Sequence, residues 1–586
     1  MIRRARRYAL AATLLLVLAT GVAAGAPQTP AQALGPDASP TIATGPRPEP
    51  TPARAELTSA RAIAIAGTST RLRRWLDDHP AARTSATRDA DKHIWTVDFI
   101  DARERSQGQV LVSDRTASIT ETRTGPQVAW QMARGYKGAF GRSVTEPQIW
   151  IPLLALFLLP LLRWRRLLSW HTLDLAMLAG FSVSLVWFDR GEIFTSVPLA
   201  YPPMVYLAAR LLWIGTRSGR AHAARPDEPA PPEERPRRPH LTSWCPTWLL
   251  VCLMLVAVGL RVGLNAFDAN VIDVGYAGVI GADRITDGQT PYGTFPTDCG
   301  QCDTYGPLTY LSYVPFEAAF PWVGRWNDLP AAHGAAVLFD LAALVGMIVL
   351  GWRLSGRRLA AGLGLAWAAF PFTAYALESN SNDSLVAACL IWGLVVAHRP
   401  MGRGIAIGLA ILSKFSPVVL LVLWARHPFP LRARRGGRLP AYITGLAVAA
   451  AATGWVILLD GTDGLRSFWS RTVGFQINRE SPFSVWGQHP WLHPVQVVLG
   501  AAVVLGAVAV ARWPRHLDLR TFAALSGALL LGVQLTMTHW FYLYIPWFLP
   551  FALVALVPEW PTRARAAPPG AASAPAPEPM PAGVAV

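Results

Sequence analysis

The sequence predicts a mainly α, polytopic helical membrane protein that carries a small α+β domain outside the membrane. Three observations carry this. Of 586 residues, 52% are hydrophobic and only 15% charged, and the mean hydropathy is +0.29; a soluble domain carries roughly 25% charged residues. Apolar runs long enough to cross a bilayer recur along most of the chain. The arginines behind the net charge of +16 cluster in short connections between those runs, which is the pattern of the positive-inside rule and argues against a nucleic-acid partner. Counting runs gives about 13–14 transmembrane segments.

The elements follow in order. Residues 1–25 have a basic start and an apolar stretch from Ala9 to Ala24, a signal peptide or a signal anchor. Residues 26–55, rich in Ala, Pro and Thr, read as a disordered linker. Residues 56–147 read as an extracytoplasmic α+β domain. A helical pattern through "TSTRLRRWLDDHP" precedes three strand-like runs, "HIWTVDFID", "GQVLVSD" and "TASITETRTG", and the helix "PQVAWQMARG" closes the segment. That order, with its W-x-V-x-F strand, resembles a PepSY-like domain. Accessory membrane helices occupy 148–214, and a basic, Pro-rich cytoplasmic linker occupies 215–242. The membrane core spans 243–558, with outer loops 265–331 and 460–493, and a disordered cytoplasmic tail follows at 559–586.

One run inside that core is anomalous. "GLAILSKFSPVVLLVL" carries Lys414 amid apolar residues and lies between basic flanks at 398–403 and 426–438. Both flanks belong inside, so the run rises and returns, turning near Lys414–Pro417, where Pro417 disfavours helix at Ser416. Lys414 reads either as a snorkelling amine or as an anion site. Its two fellow lysines, Lys92 and Lys137, lie far upstream and all other basic charge is arginine; this favours a compact ammonium placed for a phosphate.

The loop 265–331 holds the second signal. Asp273 precedes Tyr276 and a pattern (Ala277, Ile280, Gly281, Arg284, Ile285) expected to form an amphipathic helix on the membrane surface. Asp273 reads either as a helix N-cap or as a general base at the interface. Cys299 and Cys302 read as a local disulfide rather than a metal site, since no second pair completes four ligands.

Residues 250–560 resemble the GT-C glycosyltransferases that use polyprenyl-phosphate sugars, most of all the family-87 type of actinobacterial envelope synthesis. The resemblance rests on five pieces in order: "DVGYAGVIGADRITDGQTPYG", "SNSND" at 379–383, "GRGIAIGLAILSKFSP", "GFQINRESPFSVWG" at 474–487 and "HWFYLYIPWFLP". It implies an inverting transfer of mannose or arabinose to an envelope glycolipid or glycan on the extracytoplasmic face of the plasma membrane. Asp273 is then the base, and Lys414 and Arg479 stabilise the lipid phosphate. Tyr276, Tyr292, Asn382, Asp383, Gln476, Trp486 and His539 are candidate sugar or acceptor contacts. Arg479 also reads as an ordinary loop arginine, and His539 as an interfacial residue. No cofactor and no metal are expected. Short paired helices with a buried charge also suit a lipid-linked-sugar transporter or flippase; a non-catalytic envelope assembly protein is the third reading. A site confined to one face favours the enzyme.

Overall fold

The computed structural model describes residues 57–78, 82–90, 93–101, 104–135, 140–164, 166–223, 245–326, 329–426, 438–477, 479, 481–510, 512–514 and 517–556. The expected N-terminal apolar segment, the linker 26–55, residues 224–242 of the second linker and the C-terminal tail lie outside these residues, whereas 215–223, expected in that linker, continue the helix Ile193–Ala223. The chain divides into two compact units. The smaller comprises residues 1–139, 182–200 and 482–488, and the larger comprises 140–181, 201–481 and 489–586.

The smaller unit contains a four-stranded antiparallel meander: β1 (Arg83–Asp89), β2 (Ile94–Ile100), β3 (Ser106–Ser113) and β4 (Ser118–Thr124), in the order β1-β2-β3-β4. Alternation places Val97, Phe99, Val110 and Val112 on one face. Ala62 and Ala66 of the helix Ser59–Ala66 and Leu72 of Thr70–Asp78 cover that face. The sequence signalled three strands, and β1 is the addition. Its residues, "RTSATRD", contain no apolar alternation, yet all seven pair with β2 as an edge strand. The closing helix is also shorter than expected, Pro126–Ala129 followed by a 3-10 turn at Gln131–Ala133.

Most of the long helices belong to the larger unit, and residues 182–189 and 193–200 of the first two are counted with the smaller one. Among the described residues, seven helices are long and apolar enough to cross a membrane: Trp170–Asp189, Ile193–Arg217, Thr247–Asp268, Pro330–Ser355, Arg438–Leu458, Pro490–Ala509 and Leu519–Thr536. The pair Arg357–Ala369 and Pro371–Glu378, bent by 54°, passes the same test together and brings the number to eight when counted as one span. Among the described residues, these seven or eight long candidates stand beside the expected 13–14 segments, and shorter apolar helices make up much of the difference. Pro147–Leu158, Asp383–Val395 and Ile545–Leu556 have 12, 13 and 12 residues, too short alone for a ~30 Å hydrocarbon core at 1.5 Å per residue. Apolar length overstates helix length wherever proline or a polar turn interrupts the run.

The bend at Pro371 is stabilised by a buried ion pair between two of the long helices. Arg261 donates to Asp340 Oδ1 at 2.8 Å and to the carbonyls of Trp367 and Ala368 at 3.1 and 3.2 Å. Trp367 donates its indole N–H to the same Asp340 oxygen at 3.0 Å. Backbone groups freed at a helix break need partners at membrane depth, and one guanidinium supplies two of them.

The anomalous run does turn back. The helix Pro400–Ser413 ends at Lys414, whose backbone is extended, and Ser416–Leu420 and Leu421–Ala425 follow. Arg403, near the start of the first arm, donates from Nε to the Trp424 carbonyl near the end of the second at 2.9 Å. Contact between residues 21 positions apart requires the arms to lie side by side. Gly404 and Gly408 let the first arm meet Arg438–Gly454 closely, against Tyr442, Gly445 and Ala449.

Candidate active site

The connection 269–329 ties together two turns that are distant in sequence. Its start binds the "SNSND" turn: the N–H groups of Asn270 and Ile272 donate to the Glu378 and Ser379 carbonyls, each at 3.3 Å. Asn380 donates to the Asn270 carbonyl at 3.0 Å and accepts from Asn265 Nδ2 at 2.9 Å. Farther on, the Gly306 N–H donates to the Ser413 carbonyl at 3.0 Å, and the Thr309 hydroxyl donates to the same oxygen at 3.0 Å. Asp273, Asp383 and Lys414 are thereby drawn to one region.

The helix Asp273–Thr286 differs from the expected surface helix. Its residues from Val274 through Ala282 are all buried, as is Ile285. The reason is a glycine at every third position. A Cβ on Gly275 would strike the Asn380 carbonyl, one on Gly278 would lie 2.5 Å from the Tyr313 ring, and one on Gly281 would strike Tyr310. This glycine face lets the helix lie directly on its neighbours and fixes Asp273 at its first turn.

Lys414 makes one polar contact. Its ammonium lies 2.6 Å from Asp383 Oδ1, with side-chain exposures of 9% and 0%. Trp547 Nε1 donates to that same carboxylate oxygen at 3.0 Å. The rings of Tyr305, Tyr544 and Trp547 surround the ammonium at 5.3 to 5.5 Å, within the range in which an aromatic face attracts a cation. Tyr544 stacks on Trp547 with centroids 4.5 Å apart.

Asp273 remains open to solvent, although protein surrounds it deeply enough for burial to push its carboxyl above the usual carboxylate range. Solvent access combined with dense surroundings describes a concave site. The charges of Arg479 and Lys414 act on this carboxyl in the opposite direction, and Asp383 reinforces the rise. Arg479 lies over the Phe475 ring at 5.5 Å, and its Nε makes no hydrogen bond. His539 shares 2.8 Å with the Ser481 hydroxyl through Nδ1. Burial, aided by the Arg479 and Lys414 charges, holds its imidazole well below the usual range, and so neutral.

Thus Asp273, Asp383, Lys414, Arg479 and His539 share one electrostatic neighbourhood. The other sequence candidates fall differently. Tyr276 is a core residue, stacked on Trp326 at 4.7 Å with its hydroxyl donated to Asp298 at 3.1 Å. Tyr292 is buried against Tyr310 and Phe468 and donates to the Tyr305 carbonyl at 3.1 Å. Gln476 is exposed, and Trp486 belongs to the smaller unit. Asn382 is fully buried with neither side-chain polar atom paired. Cys299 and Cys302 form a disulfide with Cα atoms 5.3 Å apart. The carbonyls on either side of Gln301 are used as well: Gly300 accepts from Arg471, and Cys302 accepts from the Tyr310 hydroxyl at 3.5 Å.

Sequence reasoning missed the cage. Tyr544 and Trp547 lie in "HWFYLYIPWFLP", where aromatic residues are expected at any membrane boundary, and nothing in the string marks these two. The counter-ion role of Asp383 was also missed, although a buried lysine demands an anion and Asp383 is the acid in the turn preceding its own span. Among the described residues, no group of three His, Cys, Asp or Glu side chains is placed to hold a metal ion.

The fold and site define a helical membrane protein with a solvent-accessible carboxyl within the fields of a caged lysine and an arginine. Comparison adds a more particular likeness: residues 304–538 match a family model described as glycosyltransferase family 87. The match covers less than half of the chain and includes Asp383, Lys414 and Arg479, while Asp273 and His539 lie outside its ends. No curated protein matches the chain.

Proposed function

We propose that this protein is a membrane glycosyltransferase that moves a sugar from a polyprenyl-phosphate donor to a hydroxyl of an envelope glycolipid or glycan. The transfer takes place on the extracytoplasmic face, with inversion at the anomeric carbon. The observation that carries the reading is the placement of Asp273, open to solvent, within the fields of Lys414 and Arg479. The likeness to glycosyltransferase family 87 over the segment holding both cations supports it.

In the proposed step, Asp273 accepts the proton of the acceptor hydroxyl. That oxygen forms a bond to the anomeric carbon from the side opposite the phosphate, and the carbon–phosphate oxygen bond breaks with its electron pair leaving on the lipid phosphate. Lys414 and Arg479 stabilise the charge that develops there, and their effect is greatest where water is excluded. The aromatic cage offers no competing acceptor, so the ammonium has only Asp383 to exchange for a phosphate oxygen. A carboxyl pushed upward is a stronger base than an ordinary one, which suits removal of a proton from an alcohol. Neutral His539 is left as a hydrogen-bonding contact. Mannose or arabinose is the expected sugar, and acceptor binding, inhibition or gating of the catalytic half, and partner docking all stay open as roles for the PepSY-like segment.

The test is transfer from radiolabelled polyprenyl-phosphate sugars in membranes. Asp273→Asn should abolish transfer while leaving donor binding largely intact, whereas Lys414→Ala should weaken both. Full transfer by the Asp273→Asn protein removes that residue from the mechanism. If no such sugar is consumed but a lipid crosses the bilayer, the protein is a transporter instead.

A further inference from the structure

The late outer loop changes unit partway along. Residues 482–488 count with the smaller unit, whereas Arg479 and Ser481, just before them, count with the larger. Ser481 is held by His539. Phe483 stands four positions after Arg479 and is 1% exposed. A phenylalanine in a loop is buried only where something covers it.

Two rings of the smaller unit pack against Phe483. Trp130, directly after the helix Pro126–Ala129 that closes the α+β domain, meets it edge-on, with centroids 5.6 Å apart and planes at 89°. Phe188, near the end of the helix Trp170–Asp189, meets it at 6.2 Å. The segment carrying Trp130 is itself tied down. Gln127, 4% exposed, donates to the Gly191 carbonyl at 3.1 Å. Arg134 donates to the Gln127 and Val128 carbonyls at 2.9 and 3.3 Å. A Cβ on Gly191 would lie 2.6 Å from the Arg134 carbonyl, so only glycine permits this approach of two backbones. The loop is also closed on itself. Gln488 donates from Nε2 to the Pro482 and Ile193 carbonyls, each at 3.0 Å. The Gly487 and Gln488 N–H groups donate to the Ser484 hydroxyl and carbonyl, each at 3.0 Å.

We propose that Phe483 is a positioning residue for Arg479, and that the α+β domain holds Phe483 through Trp130. This rests on the glycosyl-transfer reading, in which Arg479 stabilises the leaving phosphate, and it gives the domain a part in the transfer step. Arg479 lies over the Phe475 ring and its Nε makes no hydrogen bond. A long side chain with so little to fix its head takes its position from its backbone. Downstream, that backbone is pinned at Ser481 by His539 and at Phe483 by the two rings. Loss of the Trp130 ring leaves a space into which Phe483 relaxes, and Arg479 moves with it.

The experiment uses the full chain in nanodiscs and two readouts. The first is hydrogen exchange in peptides covering 482–488. Trp130→Ala should speed exchange there about 2- to 10-fold, and Trp130→Phe should restore most of the protection. Gln127→Ala, which releases the Trp130 segment from Gly191, should act in the same direction and stands in if Trp130→Ala does not fold. The second readout is transfer from a radiolabelled polyprenyl-phosphate sugar. Trp130→Ala should lower kcat by about tenfold. It should also move the acid limb of kcat/KM to higher pH, because the Arg479 and Lys414 charges oppose the rise that burial and Asp383 impose on Asp273. In an Arg479→Gln background, Trp130→Ala should change neither quantity further. Three results overturn the proposal: unchanged exchange in both domain variants, faster exchange with kcat and the acid limb unmoved, or a loss that adds in full to that of Arg479→Gln. A wild type that transfers no sugar removes the glycosyl-transfer reading and the role of Arg479 with it, while exchange still decides whether the domain holds the loop.

Discussion

Removing the Lys414 ammonium separates what the lysine does for the fold from what it does for a ligand. Lys414→Met keeps the volume and apolar stem but leaves Asp383 fully buried, with Trp547 on one oxygen and nothing on the other. Breaking one side of a buried pair costs ~3–5 kcal/mol. An independent bound agrees, because the stranded carboxylate can always take up a proton. Protonating an ordinary carboxylate at pH 7 costs about 4 kcal/mol, and each lower pH unit removes about 1.4 kcal/mol. The loss is thus near 4 kcal/mol at pH 7 and about 1.5 kcal/mol at pH 5. Adding Asp383→Asn removes the stranded charge, so the double variant should regain most of the stability at pH 7. The assay is the thermal unfolding midpoint in detergent, in one scan series at both pH values. The expected order at pH 7 is wild type, double variant, single variant, with the last two converging at pH 5. Transfer activity should stay lost in both. If single and double variants melt together at pH 7, the pair is not the buried coupling described here.

Three further outcomes follow from the geometry. Gly275→Ala and Gly281→Ala place a Cβ against the Asn380 carbonyl and the Tyr310 ring; each should destabilise by ~1–3 kcal/mol, lowering the unfolding midpoint, and reduce transfer by displacing Asp273. The acid limb of kcat/KM should lie above the ordinary carboxylate range, because burial raises the Asp273 carboxyl and its basic form is lost as pH falls through that raised value. Arg479→Gln removes a charge that lowers it, so the limb should move to still higher pH; a shift in the other direction refutes the placement. Arg261→Met strands Asp340 and frees the Trp367 and Ala368 carbonyls; it should destabilise by ~3–5 kcal/mol in the same melting assay, with much of the loss regained on adding Asp340→Asn.

How much of this was legible depends on what each signal measures. The long spans were readable because hydropathy over a span's length is a property of the string, as in Thr247–Asp268 and Pro330–Ser355. The turn at Lys414 was readable because loop charge forbids a single crossing. Helix breaks were not, because the bend at Pro371 is held by Arg261 and Asp340, which are separated by 79 positions. Strand β1 was invisible because edge pairing uses backbone groups, which every residue other than proline carries. The surface helix was misread for a related reason: Gly275, Gly278 and Gly281 look like a gap in the apolar pattern, whereas they are the contact face.

The same glycines explain why the site is assembled by so few strong contacts. A carboxylate can be fixed relative to a lysine 141 positions away only if the intervening chain is held at both turns. Backbone hydrogen bonds from 270 and 272 hold the first turn, and those from 306 hold the second. These bonds form only at close approach, which bulky side chains on the Asp273–Thr286 helix would prevent. Small residues there set the backbone spacing; backbone spacing sets the relation of Asp273 to Lys414; and that relation, rather than any single ionisable residue, distinguishes an acid–cation site from three separate structural charges. An insertion between Thr286 and Gly306 that preserves all named side chains should therefore reduce transfer less than a single methyl group at Gly275, since the former lengthens a connection and the latter moves its anchor.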